Sequence, residues 1–217
     1  MDLIELLGGK DEKSSPFDDY VPVVQSRDGR STTIYLTEAI SYPSEYNKAC
    51  LAMESAVPGD NIVIKINNGG GSIDSAFQII DAMKRCKGHI KVEISGSACS
   101  AATVITMYAH ELYVADFTSF MIHNYSTGMA GKGHELKSYQ EHTDRELNAA
   151  FRTIYKGFLT DKEMTQVING KDIWMGKDEV LARWFNKTIK PVQETIPYES
   201  SEPTPVVRRG RPRKSGL

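Results

Sequence analysis

Short apolar runs along this chain alternate with longer segments whose apolar positions recur every three or four residues. TTIYLT, residues 32–37, is rich in β-branched residues and predicts a strand, and Ser41, Tyr42 and Pro43 after it read as a helix entry. Tyr46, Ala49, Cys50 and Met53 then fall at helical spacing, completing one βα unit. NIVIKIN, residues 61–67, is a nearly continuous apolar run with one lysine, as expected of a strand covered on both faces. Gly69, Gly70 and Gly71 break it, and IDSAFQIIDAMKRC resumes the 3.6-residue period, giving a second unit. Gly88 closes that helix, IKVEIS supplies a third strand, and SAATVITMYA predicts a third helix starting near Ser100. ELYVA and SFMIH read as two further short strands. Strands alternating with helices imply an α/β fold with a mostly parallel sheet and right-handed crossovers.

A glycine-rich loop, STGMAGKG, leads into a helical pattern over residues 134–158. At about 25 residues it is twice the usual length of a globular helix. Leu136, Tyr139, Leu147, Ala150, Phe151 and Ile154 can form one face of it. Such a helix either lies along its own domain or projects and packs on something outside it. DKEMTQVIN and GKDEVLARWFN predict two closing helices. Residues 1–30 mix charge, Ser, Pro and Gly and read as a mobile arm with one apolar patch from Leu3 to Leu7. The folded domain is expected over residues 31–190, and residues 191–217, dominated by Pro, Glu, Ser and Thr, read as a disordered tail.

The 217 residues carry 26 basic and 28 acidic side chains, so no global field draws the chain to nucleic acid or to a membrane surface. Cys50, Cys86 and Cys99 are three scattered cysteines with no CxxC spacing, which argues against a disulfide framework or a zinc site and for a reducing compartment. The first residues lack a basic signal-peptide start, and no run of about 18 apolar residues occurs. The expected setting is cytoplasmic, without membrane, metal or organic cofactor.

Three features converge on chemistry. The glycine run sits at the carboxyl end of a strand, where an open α/β sheet gathers its ligands, but it lacks nucleotide-loop spacing. Ser100 lies at a strand-to-helix junction, where it serves either as an N-cap or as a nucleophile. His123 ends a short apolar strand. A serine hydroxyl needs a base and oxyanion donors to react near neutral pH. His123 supplies the base, and N–H groups of the glycine turn and of Ala101 supply the donors. The carboxylate that orients the imidazole is Asp116, Asp172, Asp178 or Glu179, and residue order alone leaves these four open.

IKINNGGGSIDSAFQIIDAMK, GSACSAA, FMIHNYSTG and KDIWMGKDEV together resemble the proteolytic subunit of Clp peptidases, serine peptidases of the crotonase-like superfamily. The resemblance runs from about Thr32 to Phe185. It implies the Clp-peptidase and crotonase-like ββα-spiral fold with a protruding handle helix. It also implies a catalytic triad of Ser100, His123 and Asp172 and an oxyanion hole from the backbone amides of Gly70 and Ala101. The implied function is cleavage of peptides or unfolded proteins inside a homo-oligomer of stacked rings, with an AAA+ unfoldase as partner. The handle helix would pack on its copy in the facing ring.

The chain departs from the family pattern in three places. Gly69 stands where the family has proline before its paired glycines, Asn124 and Tyr125 stand where it has glutamine and proline, and residues 1–30 have no clear counterpart of its pore loop. These divergent termini suit a phage-encoded member. RRGRPRK, residues 208–214, resembles an AT-hook and predicts weak DNA contact through the minor groove. Two other readings compete: a crotonase-like acyl-CoA enzyme, and an inactive oligomeric scaffold that presents its basic tail to DNA.

Overall fold

Every second side chain of the strand that starts at Asn61 points into the core: Ile62, Ile64 and Ile66 are buried, while Val63 and Lys65 between them are only partly covered. The structure, a computed structural model, describes residues 23–26 and 29–189. The strands are β1 (Val23–Gln25), β2 (Ser31–Leu36), β3 (Asn61–Asn68), β4 (His89–Cys99), β5 (Glu111–Val114), β6 (Ser119–Ile122) and β7 (Ile173–Met175). The helices are α1 (Asn47–Glu54), α2 (Ile73–Arg85), α3 (Ala101–Thr106), α4 (Gly133–Ile154), α5 (Asp161–Ile168) and α6 (Lys177–Ile189). One seven-stranded sheet has the order β1-β2-β3-β4-β6-β7, with β5 pairing β4 off that path.

β2, β3 and β4 run parallel, each followed by its helix, as the alternating pattern predicts. Along these strands one face is buried and the other only partly covered. On the other, the register aligns Tyr35, Lys65, Glu93 and Tyr113 across four strands. Lys65 and Lys91 both pair with Glu93, at 3.7 and 3.3 Å, and Lys91 also reaches Glu111 at 3.2 Å. The expectation that β3 is covered on both faces is therefore corrected. Its lysine marks an alternating strand with one solvated side.

β4 pairs with β3 along one edge and with two strands along the other. Lys91–Ile94 lies beside β5, and Ser97–Cys99 lies beside β6. Between them the register against β3 slips, with Ile66 opposite Ile94 but Asn68 opposite Ala98. The Oδ1 of Asn67 accepts the Ser97 N–H there at 3.0 Å, holding the bulge. A bulge bends its strand and re-aims the residues beyond it. Here the residue at the end of the re-aimed strand is Ser100.

Two elements went unpredicted. β1 falls in the segment read as a mobile arm, yet it pairs antiparallel with β2. β7, in KDIWM, pairs antiparallel with β6. The expectations for residues 1–22 and for the tail from Pro191, RRGRPRK included, lie outside the described residues. Among the described residues, no helix is long and apolar enough to cross a membrane.

α4 carries the handle. From Gly133 to Glu146 no side chain is buried, and Tyr139 is 45% exposed. Leu147, Phe151 and Ile154 at its other end are buried in the chain's own fold. An apolar face left for another copy is thus confined to the projecting part, around Leu136 and Tyr139.

α5 and α6, which flank β7, are clamped together. Thr160 caps α5 by accepting the Glu163 N–H at 3.2 Å, while Glu163 Oε2 accepts the Thr160 N–H at 2.9 Å. Arg183 of α6 donates to both Glu163 oxygens at 3.0 and 2.7 Å and to the Phe158 carbonyl at 3.2 Å. The guanidinium, with the cap behind it, holds the Glu163 carboxyl down at about 2. A carboxyl depressed in the fold stabilises above its unfolded pKa, about 4.3, and that stabilisation disappears as pH falls toward 2. Glu163→Gln, which keeps an oxygen for the cap but loses the charge, should cost about 1–2 kcal/mol at neutral pH. Urea titrations at several pH values check this: the wild type should lose its advantage over the variant between about pH 4.3 and 2.

Candidate active site

Ser100 joins β4 to α3 with φ 56° and ψ −126°, a left-handed conformation that a non-glycine residue adopts only where its surroundings impose it. Backbone bonds and packing contacts impose it here. The Ser100 N–H donates to the Met121 carbonyl at 2.8 Å, continuing the β4–β6 pairing. Its carbonyl accepts from the Thr103 N–H at 2.9 Å and from Thr103 Oγ1 at 2.6 Å. Its hydroxyl makes no capping bond to α3. The N-cap reading of this serine therefore fails, and the geometry is that of a strained strand-to-helix elbow that exposes a hydroxyl at a helix start.

The glycine run presses against this elbow. A Cβ on Gly70, which has φ 98°, would lie 2.5 Å from the Ser100 Cβ and 3.1 Å from the Ala101 nitrogen. The small-residue sequence around Ser100 is what permits that approach. Asn68, buried at the end of β3, organises the turn. Its Oδ1 accepts the Gly70 N–H at 2.7 Å, and its Nδ2 donates to the carbonyls of Leu36, at 3.4 Å, and Glu38. The Gly70 amide, expected to serve as an oxyanion donor, is thus already engaged.

Gly71 differs. Ile40 donates to the Gly70 carbonyl at 2.8 Å and accepts from the Ser72 N–H at 2.7 Å, a parallel bridge that turns the Gly71 N–H to the opposite side. Gly71 also lines a cleft of about 700 Å³ together with Ser100, Ala101 and His123. Three consecutive glycines look alike in the sequence. The signal that separates them is Asn68, whose side chain engages the N–H two residues on, in the manner of an Asx turn.

His123 comes directly after β6 and lines the same cleft. Asp172 is not part of the cleft lining. The β6–β7 register pairs Phe120 with Met175, Met121 with Trp174 and Ile122 with Ile173, and His123 and Asp172 are the residues that immediately follow and precede those strands. The other three carboxylates lie elsewhere. Asp116 pairs with Lys177 at 2.7 Å, Glu179 with Arg183 at 2.8 Å, and Asp116, Asp178 and Glu179 all border a second, shallower pocket. Of the four candidates, Asp172 is the one next to the strand that pairs with β6. Among the described residues, no hydrogen bond joins the side chains of Ser100, His123 and Asp172 to one another. Such bonds often tighten only when substrate is bound.

The two residues after His123 act as fasteners. Asn124 donates through Nδ2 to the Ile168 carbonyl at 3.0 Å, at the end of α5. The Tyr125 hydroxyl donates to Asp144 of α4 at 2.6 Å, and this carboxylate pushes the phenol up to about 12. The handle helix is thereby tied to the segment that follows His123. On the far wall of the cleft stand Tyr139, His142, Thr143 and Glu146, one face of α4. Among the described residues, no group of three or more His, Cys, Asp and Glu side chains gathers as a metal site.

Known proteins resemble this chain in sequence. The Clp protease family matches residues 24–183. The chain is 24% identical over 157 residues to the ATP-dependent Clp protease proteolytic subunit 1 of Chlamydia muridarum, covering 70% of this chain and 82% of that protein. It is 26% identical over 133 residues to the ATP-dependent Clp protease proteolytic subunit of Porphyromonas gingivalis, covering 60% of each. Against the subunit of the same name from Streptococcus suis it is 26% identical over 186 residues, covering 76% of this chain and 94% of that one. The chain belongs to the Clp protease family, a family of serine endopeptidases. Its mixed α/β sheet agrees with the fold that the resemblance implies.

The Asn68 bonds make a stability prediction. Asn68→Ala leaves the buried Gly70 N–H and the carbonyls it bridged without their partner, which should cost about 2–4 kcal/mol. Chemical denaturation measures it, and a loss below about 0.5 kcal/mol would show that the turn does not depend on this side chain.

Proposed function

We propose that this protein is a serine endopeptidase that cleaves peptides or unfolded proteins through Ser100, His123 and Asp172. The observation that carries the proposal is the strained elbow at Ser100, whose uncapped hydroxyl shares one cleft with His123. Ser100 Oγ attacks the scissile carbonyl while His123 takes its proton, giving a tetrahedral intermediate. His123 returns the proton to the leaving amine as the acyl-enzyme forms, and a water activated by the same imidazole releases the acid. Asp172 holds the imidazole in the productive tautomer. The oxyanion is held by the N–H groups of Ala101 and Gly71, one residue along from the glycine expected from the sequence. This choice is supported by the engagement of Gly70 with Asn68.

The relatives are named as proteolytic subunits of an ATP-dependent protease. By that likeness the subunit works in a ring-stacked homo-oligomer fed by an AAA+ unfoldase, with the projecting part of α4 as the contact between rings. DNA contact through RRGRPRK finds no support in the fold or in the similar proteins and forms no part of the proposal.

A fluorophosphonate should label the wild type at Ser100, mapped by peptide mass spectrometry. Ser100→Ala and His123→Ala should each lower peptide cleavage by about 10⁶-fold, and Asp172→Ala by about 10⁴-fold. A Ser100→Ala protein that cleaves at the wild-type rate sinks the proposal, and acyl-CoA turnover independent of Ser100 would favour a crotonase-type thioester enzyme.

The assembly has its own check by light scattering. The full chain should run as a large oligomer, and a protein carrying both Leu136→Glu and Tyr139→Glu should fall to a smaller particle. An unchanged particle size would remove this face as the ring contact.

A further inference from the structure

The carbonyl of Ser100 and the N–H of Ala101 are two ends of one planar peptide unit, so whatever fixes the first aims the second. Thr103 fixes it twice, through its N–H at 2.9 Å and its hydroxyl at 2.6 Å. The Thr103 hydroxyl also lies 2.6 Å from the hydroxyl of Tyr155. A threonine has one hydroxyl proton, and here it goes to the Ser100 carbonyl, so Tyr155 must be the donor to Thr103. Thr103 is fully buried and Tyr155 is 2% exposed, so water does not compete for these bonds. Tyr155 is the residue that closes the C-terminal end of α4, and it borders the cleft.

We infer that Tyr155 and Thr103 form a positioning relay that ties the end of the handle helix to the peptide unit whose Ala101 N–H receives the oxyanion. The inference rests on the reading of Ser100 as the nucleophile. The relay runs from the Tyr155 O–H to the Thr103 oxygen, from the Thr103 O–H to the Ser100 carbonyl, and through the peptide plane to the Ala101 N–H. Each bond polarises the next, so the relay aims that N–H and also makes it a better donor. It also holds the carbonyl side of a residue whose backbone would otherwise relax out of φ 56°. Neither side chain needs to touch substrate for this. Because Tyr155 belongs to the end of α4, any displacement of the handle's root loosens the oxyanion donor, coupling the state of the projecting helix to the reactivity of Ser100.

The test uses the full chain and the second-order rate of fluorophosphonate labelling at Ser100, with a thermal melt for each variant to show that it is folded. Thr103→Val, nearly isosteric but without the hydroxyl, should slow labelling by about tenfold, and Tyr155→Phe by about threefold or more. The double variant should be no slower than Thr103→Val alone, because Tyr155 acts through Thr103. Thr103→Ser, which restores the hydroxyl, should label within about twofold of wild type. Effects that multiply in the double variant, or a Thr103→Val rate within about twofold of wild type, overturn the relay. If Thr103→Val does not fold, Tyr155→Phe decides alone, and a rate equal to wild type overturns it. A labelled wild type with unaffected variants defeats the relay and leaves the nucleophile reading standing, whereas a wild type that resists labelling at Ser100 defeats both.

Discussion

The backbone of Ser100 must be left-handed, and most of the site is arranged to keep it so. A residue at φ 56° without glycine's freedom stores on the order of 1–3 kcal/mol, and it persists only where neighbouring bonds over-determine it. The β4–β6 pairing holds its N–H, the first turn of α3 holds its carbonyl, and Gly70 packs against its Cβ so closely that no side chain fits between them. These restraints come from parts of the chain that are separated in sequence. The strain consequently depends on the whole domain being folded, and the hydroxyl it projects is available to the cleft instead of capping its own helix.

The same constraint explains the form of the sheet around it. β4 needs its bulge opposite Asn67 because one strand must pair with β5 in its first half and with β6 in its second. Only the second pairing delivers the Met121 carbonyl to Ser100 and puts His123, two residues further on, at the rim of the same cleft. β7 then closes the edge antiparallel to β6, with Asp172 just before it and His123 just after β6. The clamp of Arg183 on Glu163 secures the helices on either side of that short strand.

Much of this was legible in the sequence, for definite reasons. Tyr46, Ala49, Cys50 and Met53 are all buried because an amphipathic period survives any detail of packing. The apolar run NIVIKIN marks β3, although its lysine was a better guide to a solvated face than the surrounding apolar residues. β7 was missed because three residues, with Trp174 largely exposed between two better-covered neighbours, carry no period of their own; the strand exists only because β6 is there to pair with. At the site, residue types pointed to Ser100 and His123 together, while the backbone angle that separates an elbow from an N-cap is set by contacts no local pattern records. The choice between Gly70 and Gly71 likewise turns on one long-range clasp by Asn68 across to β2 and the residues after it.

The most direct measurement is a crystal structure of the full chain with a peptidyl boronic acid bound. The account predicts a covalent bond from boron to Ser100 Oγ, with one boronate oxygen at about 3 Å from both the Gly71 and Ala101 nitrogens. Ser100 should keep its positive φ and Asn68 its bond to Gly70. A boronate oxygen bonded to the Gly70 N–H with the Asn68 side chain displaced, or a Ser100 relaxed to ordinary helical angles, would contradict it.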